Sequence, residues 1–377
     1  MVLHSKKKIL IFHFDMQGGG AEKVLINLLQ HLDYSKYDIT LHTIFGAGVN
    51  MKDIPQEVHV KYVFKKIFRG FSSLMKLLPP KFWHWLFIKD KYDLEIAYLE
   101  SSPTRIISGG NKKTKKIAWV HTTLSKDKKI LRAFRNDKEA TMCYNKFERI
   151  VFVSNNTLKE FCKCLPNVKS EKTVIHNVND YDRIYKKAIE PCPLAISPER
   201  INIIAIGRLI KLKRFDRIIQ AISQLKKEGV SNIHFYLLGK GNEQENLSQL
   251  IKNKDVVDQV SVLGFDNNPY KWIAKMDLFV CSSEREGYST ATSEAVALGI
   301  PVLTTKVSGM DEILKNGKFG LIVENNDNDF YHGLKTLVSN PRLISKYKKT
   351  ISQQPKPTTQ SLIENYENLF DNIISVQ

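Results

Sequence analysis

Short aliphatic runs alternate with amphipathic stretches along the whole chain. Lys8–Phe14, Ile39–Thr43, Leu94–Tyr98, Lys116–Val120 and Arg149–Val153 read as strands in the first half. Asn202–Ile206, His234–Leu238, Val260–Leu263, Leu278–Cys281, Pro301–Thr304 and Gly320–Val323 read so in the second. Most are continuously apolar, as in strands covered on both faces. Between them apolar residues recur at helical spacing, as Val24, Leu25, Leu28, Leu29 and Leu32 do. The expected fold class is α/β, with two doubly wound, Rossmann-like domains facing across a cleft. Ligands of such sheets sit at the carboxyl ends of the strands.

Glu190-Pro191-Cys192-Pro193-Leu194 interrupts the pattern with two prolines before a new run opens at Ile201. The domains are therefore set at 1–192 and 193–358. Residues 359–377 carry Leu362, Ile363, Tyr366, Leu369, Phe370 and Ile373 on one helical stripe, expected to pack back on the N-terminal domain. No apolar run approaches the roughly 18 residues that a membrane-spanning helix needs. Lys6-Lys7-Lys8 ahead of Ile9–Phe12 resembles a secretion signal, but His13 and Asp15 break the run and no small-residue cleavage site precedes Gly18. It reads as a first buried strand.

Composition changes the picture in one respect. Hydrophobic residues at 42% and charged residues at 25% exclude a disordered or collagen-like chain. Five unpaired-looking cysteines indicate neither a disulfide framework nor a zinc site, and a cytoplasmic setting is expected. The net charge of +18 is unusual, and it is uneven. Through Ala195 the chain has 34 Lys+Arg against 19 Asp+Glu, and beyond it 23 against 20. The excess belongs to the N-terminal half.

Three clusters carry candidate chemistry. Gly18-Gly19-Gly20-Ala21-Glu22 joins the first strand to a helix, a turn that lets backbone N–H groups approach a phosphate or a sugar, or that simply packs a strand tightly on a helix. Gly207-Arg208-Leu209 ends the strand at Ile206, with Lys213 and Arg214 close behind; an Arg fork and a Lys point charge there suit a diphosphate, and a solvated basic turn is the plainer reading. Most informative is Ser282 to Ala295, in which Glu286 and Glu294 bracket the turn Gly287-Tyr288-Ser289-Thr290-Ala291 that opens a helix. Such a helix start offers N–H groups to a phosphate, and a glutamate one turn in can accept hydrogen bonds from ribose hydroxyls. A capping arrangement with surface glutamates is the alternative.

Together with Gly239-Lys240-Gly241, Leu263-Gly264-Phe265 and the seven-residue gap from Glu286 to Glu294, these motifs occur in the order of the retaining nucleotide-sugar glycosyltransferases of family 4. The chain resembles that family over essentially its whole length. Tyr92–Glu100 through Ala118-Trp119-Val120-His121 looks like its capsule and cell-surface polysaccharide branch. The resemblance implies a GT-B fold and no cofactor or metal, with a nucleotide-diphospho-sugar as donor, a UDP-sugar rather than a GDP-sugar. It implies Arg208 and Lys213 on the donor diphosphate and Glu294 on the ribose. Glu286 and the backbone of Gly287, Tyr288, Ser289, Thr290 and Ala291 contact sugar and phosphate, Phe265 lies at the base, and His121 lies near the transferred sugar. Gly19, Gly20 and Gly207 belong to the same donor-binding set. The chain departs from the family at Tyr288-Ser289, where Phe-Gly is common, and at Arg214, where glycine commonly follows the lysine.

Two Asp-x-Asp triplets, Asp180-Tyr181-Asp182 and Asp327-Asn328-Asp329, read as polar loops, and Cys162-Lys163-Cys164 as part of a helix. Lys65, Lys66, Arg69, Lys76, Lys81 and Lys89 are interleaved with aromatic and aliphatic residues such as Phe68, Leu77, Phe82 and Trp85. That mixture fits an anionic membrane surface, or a helix with a solvated basic face. Lys112, Lys113, Lys115, Lys116, Lys126, Lys128 and Lys129 flank His121. The expectation is a hexosyltransferase acting on a bacterial cell-surface glycan, such as a polyprenyl-diphosphate-linked oligosaccharide or a lipopolysaccharide or capsule precursor, peripheral on the inner face of the cytoplasmic membrane. An epimerase or phosphorylase on the same fold is the alternative. A nucleic-acid partner has only the charge in its favour.

Overall fold

The computed structural model describes residues 5–17, 19–123, 131–193 and 196–375. Gly18, Lys126, Lys128, Lys129, Leu194 and Ala195, named above, lie outside the described residues. The chain divides into two compact units, 1–179 with 359–377 and 180–358.

The first unit holds seven parallel strands: β1 (Lys7–His13), β2 (Tyr37–Phe45), β3 (His59–Phe64), β4 (Leu94–Ala97), β5 (Lys115–Val120), β6 (Arg149–Phe152) and β7 (Glu171–Val174), in the order β3-β2-β1-β4-β5-β6-β7. Its helices are α1 (Gly20–Leu29), α2 (Phe71–Leu74), α3 (Pro80–Phe87), α4 (Ser102–Ile107), α5 (Asp137–Tyr144) and α6 (Asn155–Cys164). The second unit begins with α7 (Tyr181–Ala188). It holds β8 (Ile201–Ile206), β9 (Ile233–Leu238), β10 (Val260–Gly264), β11 (Leu278–Cys281), β12 (Val302–Thr305) and β13 (Gly320–Val323), in the order β10-β9-β8-β11-β12-β13. Around them lie α8 (Phe215–Lys227), α9 (Gln244–Asn253), α10 (Tyr270–Ile273), α11 (Thr290–Ala297), α12 (Met310–Ile313), α13 (Asp327–Val338) and α14 (Pro341–Ser352).

β1, β5 and β11 are buried along nearly their whole length, which is why they read as unbroken apolar runs. In each sheet the strand order reverses beside the first strand, between β1 and β4 and between β8 and β11. There the loops at the carboxyl ends diverge and open a crevice, the usual ligand position in doubly wound sheets.

The division at Asn179/Asp180 corrects the boundary expected at 192/193. The prolines mark the connection into β8, whereas α7 before them already packs on α10 and α11. Asn268 Nδ2 fixes it by donating to the Lys187 carbonyl at 2.9 Å and to Glu190 at 2.7 Å. α15 (Thr359–Ser375) belongs to the first unit. Tyr366 stacks on Trp119 with centroids 4.9 Å apart, Lys7 pairs with Asp371 at 2.8 Å, and the Asp33 N–H donates to Glu367. Both Asp-x-Asp triplets, expected as loops, sit at helix starts. Asp180 caps α7 by accepting from the Arg183 N–H, and Asn326 caps α13 at Asp329.

Candidate active site

In the second unit the turn after β8 is shaped by backbone touching backbone. The Gly207 N–H donates to the Leu238 carbonyl at 3.1 Å, the Leu209 N–H to the Lys240 carbonyl at 3.0 Å and the Gly239 N–H to the Gly264 carbonyl at 2.6 Å. A Cβ on Gly239, whose φ is +154°, would overlap the Gly207 carbonyl, and one on Gly241 would overlap that of Leu209. Gly207 differs. A Cβ there would meet nothing among the described residues closer than 3.6 Å, so no contact among them demands glycine.

Arg208 stands exposed beside this turn, with no ion pair among the described residues. Lys213, mostly buried, places its ammonium 2.6 Å from Glu286 Oε1. Burial lowers its pKa, but the Glu286 carboxylate outweighs burial and holds it above the ordinary lysine value. Arg214 adopts the left-handed conformation, φ 50° and ψ 42°, that makes glycine frequent at such a position. It tolerates this because its guanidinium is held by Asp216 at 3.1 Å and Asp327 at 3.0 Å.

The loop after β11 is pinned beneath. Buried Arg217 donates to the Ser282 carbonyl at 3.2 Å, to Asn325 at 2.9 Å and to Asp327 at 2.7 Å. Thr305 Oγ1 donates to the Ser283 carbonyl at 2.8 Å. Ser283 Oγ donates to Glu286 Oε1 at 2.7 Å, fixing the carboxylate that faces Lys213. Ser289 caps α11 by accepting from the Thr292 N–H. The N–H groups of Thr290 and Ala291 make no hydrogen bond among the described residues. Lys213, Glu286, Ser289 and Ala291 line one small cavity. Glu294, one turn into α11, is buried and accepts from Tyr270 Oη at 3.3 Å. Tyr288 packs beside Gly309, which leaves little room for a Cβ, and burial raises its pKa. Phe265 is 60% exposed with the Lys240 ammonium 4.9 Å from its ring centroid, apart from that cavity.

The first unit has a different edge. Gly19 caps α1, and a Cβ on it would overlap the Glu22 carboxylate, whereas Gly20 has open space around it. His121 follows β5 and is nearly buried, its N–H donating to Glu100 at 2.9 Å. Burial, with His13 nearby, pushes His121 down to about 3, and burial raises the Glu100 carboxyl. His13, at the end of β1, is fully buried with Nδ1 2.7 Å from the Asp15 carbonyl. A carbonyl only accepts, so Nδ1 carries the proton and Nε2 is a bare acceptor. Burial brings its pKa to about 4. Nε2 of both histidines lacks a partner among the described residues, and both rings lie against Tyr98, at centroid distances of 6.2 and 4.8 Å.

The structure thus gathers Gly207, Arg208, Lys213 and Glu286 to Glu294 at the switch point of the second sheet, and His121 with Gly19 and Gly20 at the carboxyl edge of the first. His13 escaped sequence reasoning; its signal was the one polar residue closing an apolar strand. Arg217 and Asp327 also escaped, because 110 residues separate them. Among the described residues no three His, Cys, Asp or Glu side chains converge as a metal site, and no helix is long and apolar enough to cross a membrane.

Residues 18–183 match the family described as Glycosyltransferase Family 4, and residues 187–356 that described as Glycosyl transferases group 1. The chain is 28% identical over 365 residues to a Campylobacter jejuni N-acetylgalactosamine-N,N'-diacetylbacillosaminyl-diphospho-undecaprenol 4-alpha-N-acetylgalactosaminyltransferase, covering 93% of this chain and 95% of the relative. It is 25% identical to the lipopolysaccharide core biosynthesis glycosyltransferase LpsE of Rhizobium meliloti, covering 90% and 91%. Among solved structures, Anabaena HepE in complex with UDP and glucose superposes with a TM-score of 0.71 at 17% identity, covering 97% of this chain and 100% of that one. The sucrose-phosphate synthase of Thermosynechococcus elongatus superposes with a TM-score of 0.75 at 12% identity, covering 99% and 100%. Two parallel-sheet Rossmann-like domains of this kind constitute the GT-B fold.

Proposed function

The chain belongs to glycosyltransferase family 4, and from that premise we propose that it moves a hexose, with retention and without a metal, from a UDP-sugar to a lipid-linked bacterial surface glycan. The observation that carries this reading is the Lys213–Glu286 pair, 2.6 Å apart, beside the start of α11 and the uncommitted Arg208. In the reaction the bond between the anomeric carbon and the diphosphate oxygen breaks, and its electron pair stays on that oxygen. The acceptor hydroxyl bonds the same carbon from the same face, and its proton passes to the departing phosphate. Negative charge grows on the diphosphate, so fixed positive charge there lowers the barrier. Arg208, Lys213 and the N–H groups of Thr290 and Ala291 supply it, in place of a divalent cation. Glu286, oriented by Ser283 and Lys213, receives a sugar hydroxyl. Glu294 takes the ribose, with Phe265 against the base. His121 acts as a neutral hydrogen-bonding partner of the transferred sugar, since its burial keeps it uncharged.

UDP is favoured by HepE, solved with UDP and glucose, and a polyprenyl-diphosphate acceptor by the Campylobacter relative, named for acting on a diphospho-undecaprenol. The test is turnover of UDP-hexoses with a diphospho-lipid acceptor, in chelator, with the product anomer assigned by NMR. Arg208→Ala is expected to lose roughly 10²–10³ in kcat. Wild-type turnover of that variant would remove the assignment, an inverted product would remove retention, and donor consumption that needs no acceptor would favour an epimerase.

A further inference from the structure

We propose that the segment from β3 to the end of α3 is a rigid anchor for an anionic lipid surface. The proposal rests on the lipid-linked acceptor only for its purpose; the argument comes from the segment itself. From Val58 to Lys89 there is no Asp or Glu, against seven Lys and Arg. Lys65, Lys66, Arg69, Lys76 and Lys81 form no ion pair among the described residues. The same stretch presents apolar side chains outward. Of the fifteen large hydrophobic residues exposed among the described residues, eight fall between Ile67 and Leu86. Leu77 is 70% exposed and Trp85 62%, with the Lys89 ammonium 4.3 Å from the indole centroid.

These side chains are not loose surplus from a failed core. Phe71, Met75, Trp83 and Phe87 on the inner side are buried in the hydrophobic core of the first unit. The carbonyls of the turn between α2 and α3 are satisfied from within. Arg105 donates to Met75 at 2.5 Å and to Leu78 at 3.0 Å, while Trp83 Nε1 donates to Met75 at 3.0 Å. Arg135 donates to Lys76 at 2.6 Å and to Leu77 at 3.2 Å. Buried Arg105 is itself balanced by Glu139 at 2.7 Å.

That arrangement answers the chief objection to placing a turn in a lipid interface, the cost of backbone groups with no water to bond. Here four successive carbonyls arrive already bonded, and what the tip turns outward is mainly leucines, aromatic rings and cationic side chains. Rings prefer the headgroup level, and lysine stems reach from it to lipid phosphates. A protein partner of ordinary composition would find no acidic residue here to answer its own cations. A lipid surface asks for none.

Of the four tryptophans, Trp83, Trp119 and Trp272 are buried, so Trp85 alone reports on the tip. The full chain is mixed at low salt with vesicles of equal phosphatidylglycerol and phosphatidylcholine, and with vesicles of phosphatidylcholine alone. The expected result is cosedimentation at least about tenfold stronger on the anionic vesicles, with a blue shift of tryptophan emission that Trp85→Phe abolishes. Leu77→Ser with Trp85→Ser should lose binding while turnover on a short, water-soluble acceptor stays at wild type. That control separates this proposal from misfolding and from the catalytic reading, which fails only if the soluble acceptor is not used. Lys65→Gln with Lys66→Gln and Lys81→Gln should erase the preference for the anionic vesicles. Equal binding to both vesicles, no blue shift, or binding that survives the Leu77 and Trp85 substitutions would overturn the proposal. Salt-sensitive capture by RNA without vesicle binding would overturn it in favour of a nucleic acid.

Discussion

The carboxyl edges of the two sheets are built on the same topology and opposite electrostatics. In the second unit the groups at the switch point are charged, with Lys213 engaged by Glu286, Arg214 by Asp216 and Asp327, and Arg208 exposed. In the first they are imidazoles that burial keeps neutral, His13 and His121, each with Nε2 unpartnered among the described residues. A fold that places loops identically leaves the choice of ligand to the side chains on them. Fixed charge suits a group whose charge grows during the reaction, as a diphosphate does when it leaves. Neutral acceptors suit hydroxyls, whose charge does not change on binding.

The sharpest way to break the contrast is to discharge the second edge. Lys213→Ala is expected to lower kcat by roughly 10²–10³, with the acceptor KM little changed; an acceptor effect would mean that the lysine does not face the donor. Adding Glu286→Ala should cost less than the product of the single effects, because residues in direct contact do not act independently.

Next come two glycines of one turn. Gly239→Ala forces a Cβ against the Gly207 carbonyl at a positive φ, and unfolding by denaturant should show a loss of roughly 3 kcal/mol or more. Gly207→Ala meets nothing among the described residues closer than 3.6 Å, so stability should hold while the donor KM rises. Equal losses of stability would show that Gly207 serves packing alone.

The neutral edge is broken by acid. Both histidines have pKa values below their unfolded value of about 6.5, so the unfolded chain binds protons that the folded chain refuses. Their contribution is complete above that pH and is lost as pH falls toward about 4 for His13 and about 3 for His121. Each adds up to about 1.4 kcal/mol per pH unit within its window. His13→Gln should flatten the acid limb of stability between pH 6.5 and 4, and raise the KM of whichever substrate bonds it. An unchanged limb would mean that His13 is already protonated in the fold. The smallest effect is expected at Phe265→Leu. Loss of an exposed ring and of its contact with Lys240, worth about 0.5–1 kcal/mol, should weaken donor binding only a few-fold.

The same two edges show what the amino-acid order reveals. β1 and β11 are buried on both faces, and their residues advertise it. β3 and β7 were not anticipated, and each lies at the edge of its sheet. His59–Phe64 is mostly exposed, and Glu171–Val174 has no fully buried residue, so neither carries an apolar run. Their strand form comes from one neighbour, β2 or β6, which no local pattern reports. At the site, the residues that were legible sit in contiguous motifs, such as Gly207-Arg208 and Glu286 to Glu294. Arg217 and Asp327 hold the loop that presents Glu286, and their meeting depends on the finished sheet. The Asp327 triplet looked like an idle loop for the same reason.

α15 has a consequence for how the molecule is made. Because residues 359–377 belong with 1–179, the second unit is inserted along the sequence between two segments of the first. Emerging from a ribosome, the first sheet exists before the partners of Tyr37 and Trp119, since Asp371 and Tyr366 follow the whole second unit in the sequence. Trp119 must therefore wait, uncovered, while an independent unit is synthesised and folds. The first unit to start is closed only after the second has been made, by the late stacking of one tyrosine on one tryptophan.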